Sequence, residues 1–206
     1  MKKILSMLML ASALTTTAFA DDIQLGEPGY AGQGCPSGSA SVTLSPDNKA
    51  LSILFDEYFV EAGGRKKLQR KNCTIAIPVH VPTGFSVSLI DVDYRGYVMV
   101  PRGGMARFTA EYFFAGKRGP RYNKTFRGGF DNDYTIQNQL GVFANVWSAC
   151  GADVNLRVNT AMLLKTNRQG DDALATVDSA DISAGIVYHL KWKRCGGGSD
   201  DFDDFF

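Results

Sequence analysis

Asp153-Val154-Asn155-Leu156-Arg157-Val158-Asn159-Thr160-Ala161-Met162-Leu163-Leu164-Lys165 is the stretch on which the fold turns. Val154, Leu156, Val158, Thr160, Met162 and Leu164 fall on one side of a two-residue period. Asn155, Arg157, Asn159 and Lys165 fall on the other, with Ala161 and Leu163 interrupting the polar row. Successive side chains of an extended chain point to opposite faces, so this is a half-buried strand. Its length predicts a bend or two strand segments. Ile186, Tyr188, Leu190 and Trp192 alternate with Val187, His189, Lys191 and Lys193 in the same way.

Working outward, further strands are predicted over Ser39–Leu44, Leu51–Val60, Thr74–Val81, Phe85–Val92, Tyr97–Val100, Arg107–Phe114 and Val142–Ala149. Turn chemistry separates them at Ser45-Pro46-Asp47-Asn48, Ala62-Gly63-Gly64, Pro82-Thr83-Gly84, Pro101-Arg102-Gly103-Gly104 and Arg127-Gly128-Gly129. Tyr134–Gln139 is a short, weakly patterned helical candidate. The expected class is all-β: an antiparallel sandwich, jelly-roll-like or Greek-key, stapled by two disulfides.

Met1-Lys2-Lys3, the apolar stretch Ile4 to Leu14 and Ala18-Phe19-Ala20 make a signal peptide of residues 1–20. The apolar run is too short for the roughly 20 residues that cross a bilayer. A secreted or periplasmic location follows, with a domain over 21–195. Gly196-Gly197-Gly198-Ser199 and the acidic–aromatic stretch Asp200 to Phe206 form a linker and tail. No later apolar run approaches membrane-spanning length. Phe206 ends the chain as outer-membrane barrels often do, yet Asp204 and Asp200 break the lipid-facing alternation.

The chain has 206 residues, 22 Lys+Arg and 21 Asp+Glu. Removing Lys2 and Lys3 with the signal gives 20 − 21 = −1, which excludes a generally basic nucleic-acid binder. Without the four tail aspartates the domain carries 20 − 17 = +3. Cys35, Cys73, Cys150 and Cys195 contain no C-x-x-C pair, and His80 and His189 are the only histidines. That pattern fits neither a zinc site nor a thioredoxin-like motif, so no metal and no cofactor is expected. In an exported chain an even cysteine count favours disulfides. Three connectivities are open to sequence. Cys35–Cys73 with Cys150–Cys195 is the pairing favoured, since each ties the start of one sequence half to its end.

Gly29-Tyr30-Ala31-Gly32-Gln33-Gly34-Cys35-Pro36-Ser37-Gly38-Ser39 is distinctive. With Ser45-Pro46-Asp47, Leu54-Phe55-Asp56, Lys71-Asn72-Cys73 and Ile77 to Gly84, it resembles the secreted family catalogued as domain of unknown function 4360. The resemblance covers most of residues 26–195 and is looser after Gly96. It implies a small exported, disulfide-containing β-rich protein of bacteria and fungi. It brings no activity and no catalytic residue.

Function is read from the remaining clusters. Lys117, Arg118, Arg121, Lys124 and Arg127 interleave with Tyr112, Phe113, Phe114, Tyr122, Phe126 and Phe130. Cations attract anionic polymers, and aromatic faces stack on bases or sugars. Lys117, Arg118, Arg121, Tyr122, Lys124, Phe126 and Arg127 are therefore the candidate ligand-binding residues, carried on a solvated hairpin loop from Gly116 to Gly129. A cell-envelope glycan or another anionic polymer is the expected partner. Arg65 to Lys71 is a second basic run, and a cationic patch forms if the two are adjacent. The tail is a candidate contact for a protein partner by strand addition.

Asp91 and Asp93 share a face if their segment is a strand, and paired carboxylates serve sugar hydrolysis. A solvated turn before Tyr94-Arg95-Gly96 is the simpler reading. Asp131-Asn132-Asp133 suggests an oxygen-rich calcium loop, but Val142 stands where an EF-hand needs Glu. No G-x-S-x-G accompanies His80 or His189. Asn72-Cys73-Thr74 and Asn123-Lys124-Thr125 fit the glycosylation pattern. The leading expectation is an exported non-enzymatic binding or envelope-associated module. The alternative is a secreted carbohydrate-active hydrolase using surface carboxylates.

Overall fold

A computed structural model describes residues 24–44, 50–114, 116–140, 147–177 and 186–196. The expected signal peptide and the acidic–aromatic tail lie outside the described residues. The strands are β1 (Gln24–Leu25), β2 (Gly29–Ala31), β3 (Ala40–Leu44), β4 (Ala50–Phe55), β5 (Phe59–Ala62), β6 (Leu68–His80) and β7 (Phe85–Val100). They continue as β8 (Met105–Phe114), β9 (Lys117–Arg127), β10 (Phe130–Gln139), β11 (Val154–Lys165), β12 (Ala173–Thr176) and β13 (Ile186–Arg194). No helix occurs among the described residues.

All pairings are antiparallel and build two sheets. The six-stranded sheet runs β1-β6-β11-β8-β9, with β2 also on β6. The seven-stranded sheet runs β3-β4-β13-β7-β12-β5, with β10 also on β7. β11 is one uninterrupted strand rather than two segments, because β6 pairs with it from Val154 to Lys165 and β8 from Arg157 to Lys165.

The two sheets close face to face on their alternate apolar residues. Leu156, Val158, Met162 and Leu164 of β11 and Ile75 and Ile77 of β6 are fully buried from one side. Val92, Tyr94 and Val98 of β7 meet them from the other. The Tyr94 and Phe108 rings lie 4.7 Å apart across the interior. The buried tyrosine hydroxyls come paired, as burial favours. Tyr94 and Tyr112 hydroxyls are 2.6 Å apart, and Asn138 Nδ2 donates to the Tyr112 hydroxyl at 2.8 Å. The Tyr58 hydroxyl reaches Thr160 Oγ1 at 2.9 Å. At one side Phe126 packs on Tyr134 at 4.9 Å and seals β9 against β10.

Disulfides join Cys35 to Cys73 and Cys150 to Cys195, with Cα–Cα distances of 5.4 and 6.0 Å. The favoured pairing is the one present.

Several local expectations are corrected. Tyr134–Gln139 is not helical: Tyr134, Ile136 and Asn138 are buried and their neighbours exposed, a two-residue period within β10. Gly116 to Gly129 is not a loop, because Lys117–Arg127 pairs along β8 as an edge strand. Leu51–Val60 divides into β4 and β5 at Asp56-Glu57. Phe85–Val92 and Tyr97–Val100 are parts of the single strand β7, so no turn follows Asp93. Of Val142–Ala149, residues 142–146 lie outside the described residues, and Trp147 to Ala149 carry no strand.

Candidate functional site

The register of the six-stranded sheet decides which basic residues meet. Cys73, Ile75 and Ile77 of β6 point inward, so Leu68, Arg70, Asn72, Thr74, Ala76 and Pro78 point outward. The same alternation turns Arg157 and Lys165 of β11, and Arg107, Glu111 and Phe113 of β8, to that outer face. β9 adds Arg118, Arg121 and Arg127, which stand opposite Phe113, Glu111 and Met105.

Arg70, Arg107, Arg118, Arg121, Arg127, Arg157 and Lys165 thus share one exposed surface. Glu111 is the carboxylate on the outer positions of β6, β11, β8 and β9, giving 7 − 1 = +6. Glu111 accepts from Arg118 Nε at 2.8 Å. Among the described residues no carboxylate forms an ion pair with Arg70, Arg107, Arg121, Arg127 or Lys165. The Arg157 guanidinium stacks 4.3 Å from the Phe113 ring centroid.

The seven sequence-predicted residues are divided by the strand. Arg118, Arg121 and Arg127 join the outer face. Phe126 is buried, Tyr122 is half-buried against the core, and the Lys124 ammonium lies 6.0 Å from the Phe126 centroid. Burial raises the Tyr122 phenol's pKa. Lys117 is exposed opposite Phe114, at the end of the hairpin. Tyr112 and Phe114 are buried too, so most of the expected stacking rings belong to the interior.

Of the Arg65 to Lys71 run, Arg70 faces outward while Lys71 donates to Glu57 O at 3.0 Å and covers Phe59. Lys67 donates to Arg168 O at 3.1 Å. The two basic runs approach through β11 and β8, not as adjacent loops. Sequence reasoning missed Arg107, Arg157 and Lys165; their signal was the polar half of each alternation.

Asp131 and Asp133 lie in β10, not in a loop, and the Tyr97 hydroxyl donates to Asp131. That bond raises the Tyr97 pKa. Asp91 and Asp93 share the outer face of β7, opposite Gln139 and Gln137. No cluster of three metal-ligating side chains occurs among the described residues. His80 Nδ1 is 2.8 Å from Asp153 Oδ1, beside a groove of about 320 Å³ lined by Leu25, Pro78 and Asn155 among others. Asp153 Oδ1 also accepts from Val81 N–H at 3.0 Å, which holds the carboxyl below its usual range. Sequence reasoning gave His80 no partner, since Asp153 is distant in the chain. Neither Asp91 nor Asp93 lines this groove. His189 stands opposite Asp91 in register, and its side chain lies outside the described residues.

The family model for the domain of unknown function DUF4360 matches residues 21–195. This chain belongs to the DUF4360 family. An "Uncharacterized secreted protein" of Arthroderma benhamiae (strain ATCC MYA-4681 / CBS 112371) is 32% identical over 169 residues, 81% of this chain and 69% of the relative. Export, expected from residues 1–20, agrees with that name. In this DUF4360 chain the distinctive Gly29 to Ser39 run does structural work. A Cβ on Gly34 would lie 2.4 Å from the Tyr58 ring, and one on Gly32 would lie 2.2 Å from Asn72 O. The glycines let the segment lie flat against β6 so that Cys35 reaches Cys73.

Proposed function

We propose that this DUF4360 protein is an exported, non-enzymatic module that binds an anionic polymer, such as a cell-envelope glycan, on the outer face of its six-stranded sheet. One observation carries this reading: seven cations from four strands share a face with one carboxylate. A polyanion laid there displaces its counterions and gains free energy that falls with added salt. A rigid sheet sets the spacing of the cations without the ordering cost of a loop.

The test is retention of the purified protein on beads carrying dextran sulfate along a salt gradient. Wild type is expected to be retained at low salt. The triple variant R118Q/R121Q/R127Q should elute earlier with an unchanged thermal unfolding midpoint. Equal elution of both proteins in the void volume would overturn the reading.

A further inference from the structure

The cations are not scattered over the face. Lys165, Met105 and Arg127 are consecutive partners across β11, β8 and β9. Arg70, Leu163 and Arg107 are consecutive across β6, β11 and β8. Arg157, Phe113 and Arg118 are consecutive across β11, β8 and β9. In the first two rows an apolar side chain, Met105 or Leu163, stands between two cations whose backbones lie two strand spacings apart, about 9.5 Å; in the third, Arg157 lies over Phe113 and Arg118 is paired with Glu111. Met105, Leu163 and Phe113 are all half-buried, so part of each lies at the surface.

From these rows we infer that the ligand is an extended polysaccharide bearing carboxylate or sulfate groups, lying across the strands. This rests on the proposed polyanion binding and specifies its ligand. A sugar ring presents both things such a row recognises: an apolar face of C–H groups for the central side chain, and anionic substituents for the flanking cations. The separation of the two cations is close to the length of a disaccharide, so one charged sugar in two would meet a cation at each end.

Single-stranded nucleic acid fits less well. It needs free aromatic faces on which bases stack. Among the described outer positions of these four strands the aromatic rings are Phe113, over which the Arg157 guanidinium already lies, and His80, which is held by Asp153 at the far end of β6. Tyr122 and Phe126, the other rings of β9, face the interior.

Equilibrium binding to four soluble probes at one low ionic strength tests the assignment: polygalacturonate, dextran sulfate, inorganic polyphosphate and oligothymidylate. At least one glycan should bind about tenfold tighter per charge than polyphosphate or oligothymidylate. The carboxylated and sulfated arms identify which anion is preferred. M105S and L163S, each checked for an unchanged unfolding midpoint, should weaken the preferred glycan about tenfold and leave polyphosphate binding as it was. Phosphate polymers binding as tightly as both glycans, or glycan affinity indifferent to M105S and L163S, would overturn the inference while leaving polyanion binding in place. Failure to bind any of the four removes both.

Discussion

Gly34 sits where any Cβ would enter the Tyr58 ring, at 2.4 Å from Cδ2. Tyr58 cannot retreat, because its hydroxyl is held by Thr160 in the interior. Gly34→Ala is therefore expected to destabilise the fold by about 1–3 kcal/mol, as overpacking does, read from a urea unfolding curve. Asp153 gives a second prediction. Its folded pKa lies below the ordinary 3.8, chiefly because Val81 N–H donates to the charged form. A depressed carboxyl contributes stability above the unfolded pKa and loses it as pH falls through the folded value. Asp153→Asn should flatten the acid limb of stability below about pH 4 and leave the profile above pH 6 parallel to wild type. An unchanged acid limb in a pH series of thermal midpoints would refute this. Sequence flagged the Gly29 to Ser39 run as distinctive but carried no reason for it. The reason is Tyr58, which is remote in the chain and visible only once it crosses to the other sheet.

Elements show which local patterns mislead. Arg, Lys, Gly and Pro crowd 116–129, so the segment reads as a loop, and Pro120 reinforces that reading. Yet β9 is an edge strand, a setting in which a sheet tolerates proline. Its alternation is audible only against β8, which fixes which residues turn inward. Gly96 misleads similarly: it reads as a turn inside β7 but is buried because Thr176 O and the Tyr134 hydroxyl occupy the space a side chain would need. The strands of the two sheets are joined by the Tyr94–Tyr112–Asn138 hydrogen bonds. Tyr112→Phe strips the acceptor from buried Asn138 Nδ2 and should cost about 1–3 kcal/mol. Proton exchange of β8 amides is expected to quicken in that variant, and an unaltered rate together with an unaltered midpoint would refute the link's importance.

For the whole molecule, two loops of sequence separation 38 and 45 are closed by sulfur. In the chain-entropy account each restricts the unfolded chain by about 4 kcal/mol. Reducing both should shift the denaturant midpoint markedly downward, and C35S/C73S should reproduce about half of the shift. A reductant-insensitive midpoint would contradict that. On the outer side of the seven-stranded sheet Asp91, Asp93, Asp131 and Asp133 share the described β7 and β10 positions with Arg95. A near-neutral total thus conceals a sheet face on which seven cations meet one carboxylate.

The strand class, the export signal and the use of cysteines as cross-links were written in the sequence alone, because each is a local feature: a two-residue period, an apolar run, an even count without a metal spacing. Where the cations meet was not. Arg70 and Lys165 share a face only because β6 pairs with β11 in one register, and slipping that register by a single residue would turn either row inward. Pairing between distant strands is set by the packing of the whole core, and the tertiary structure alone decides it.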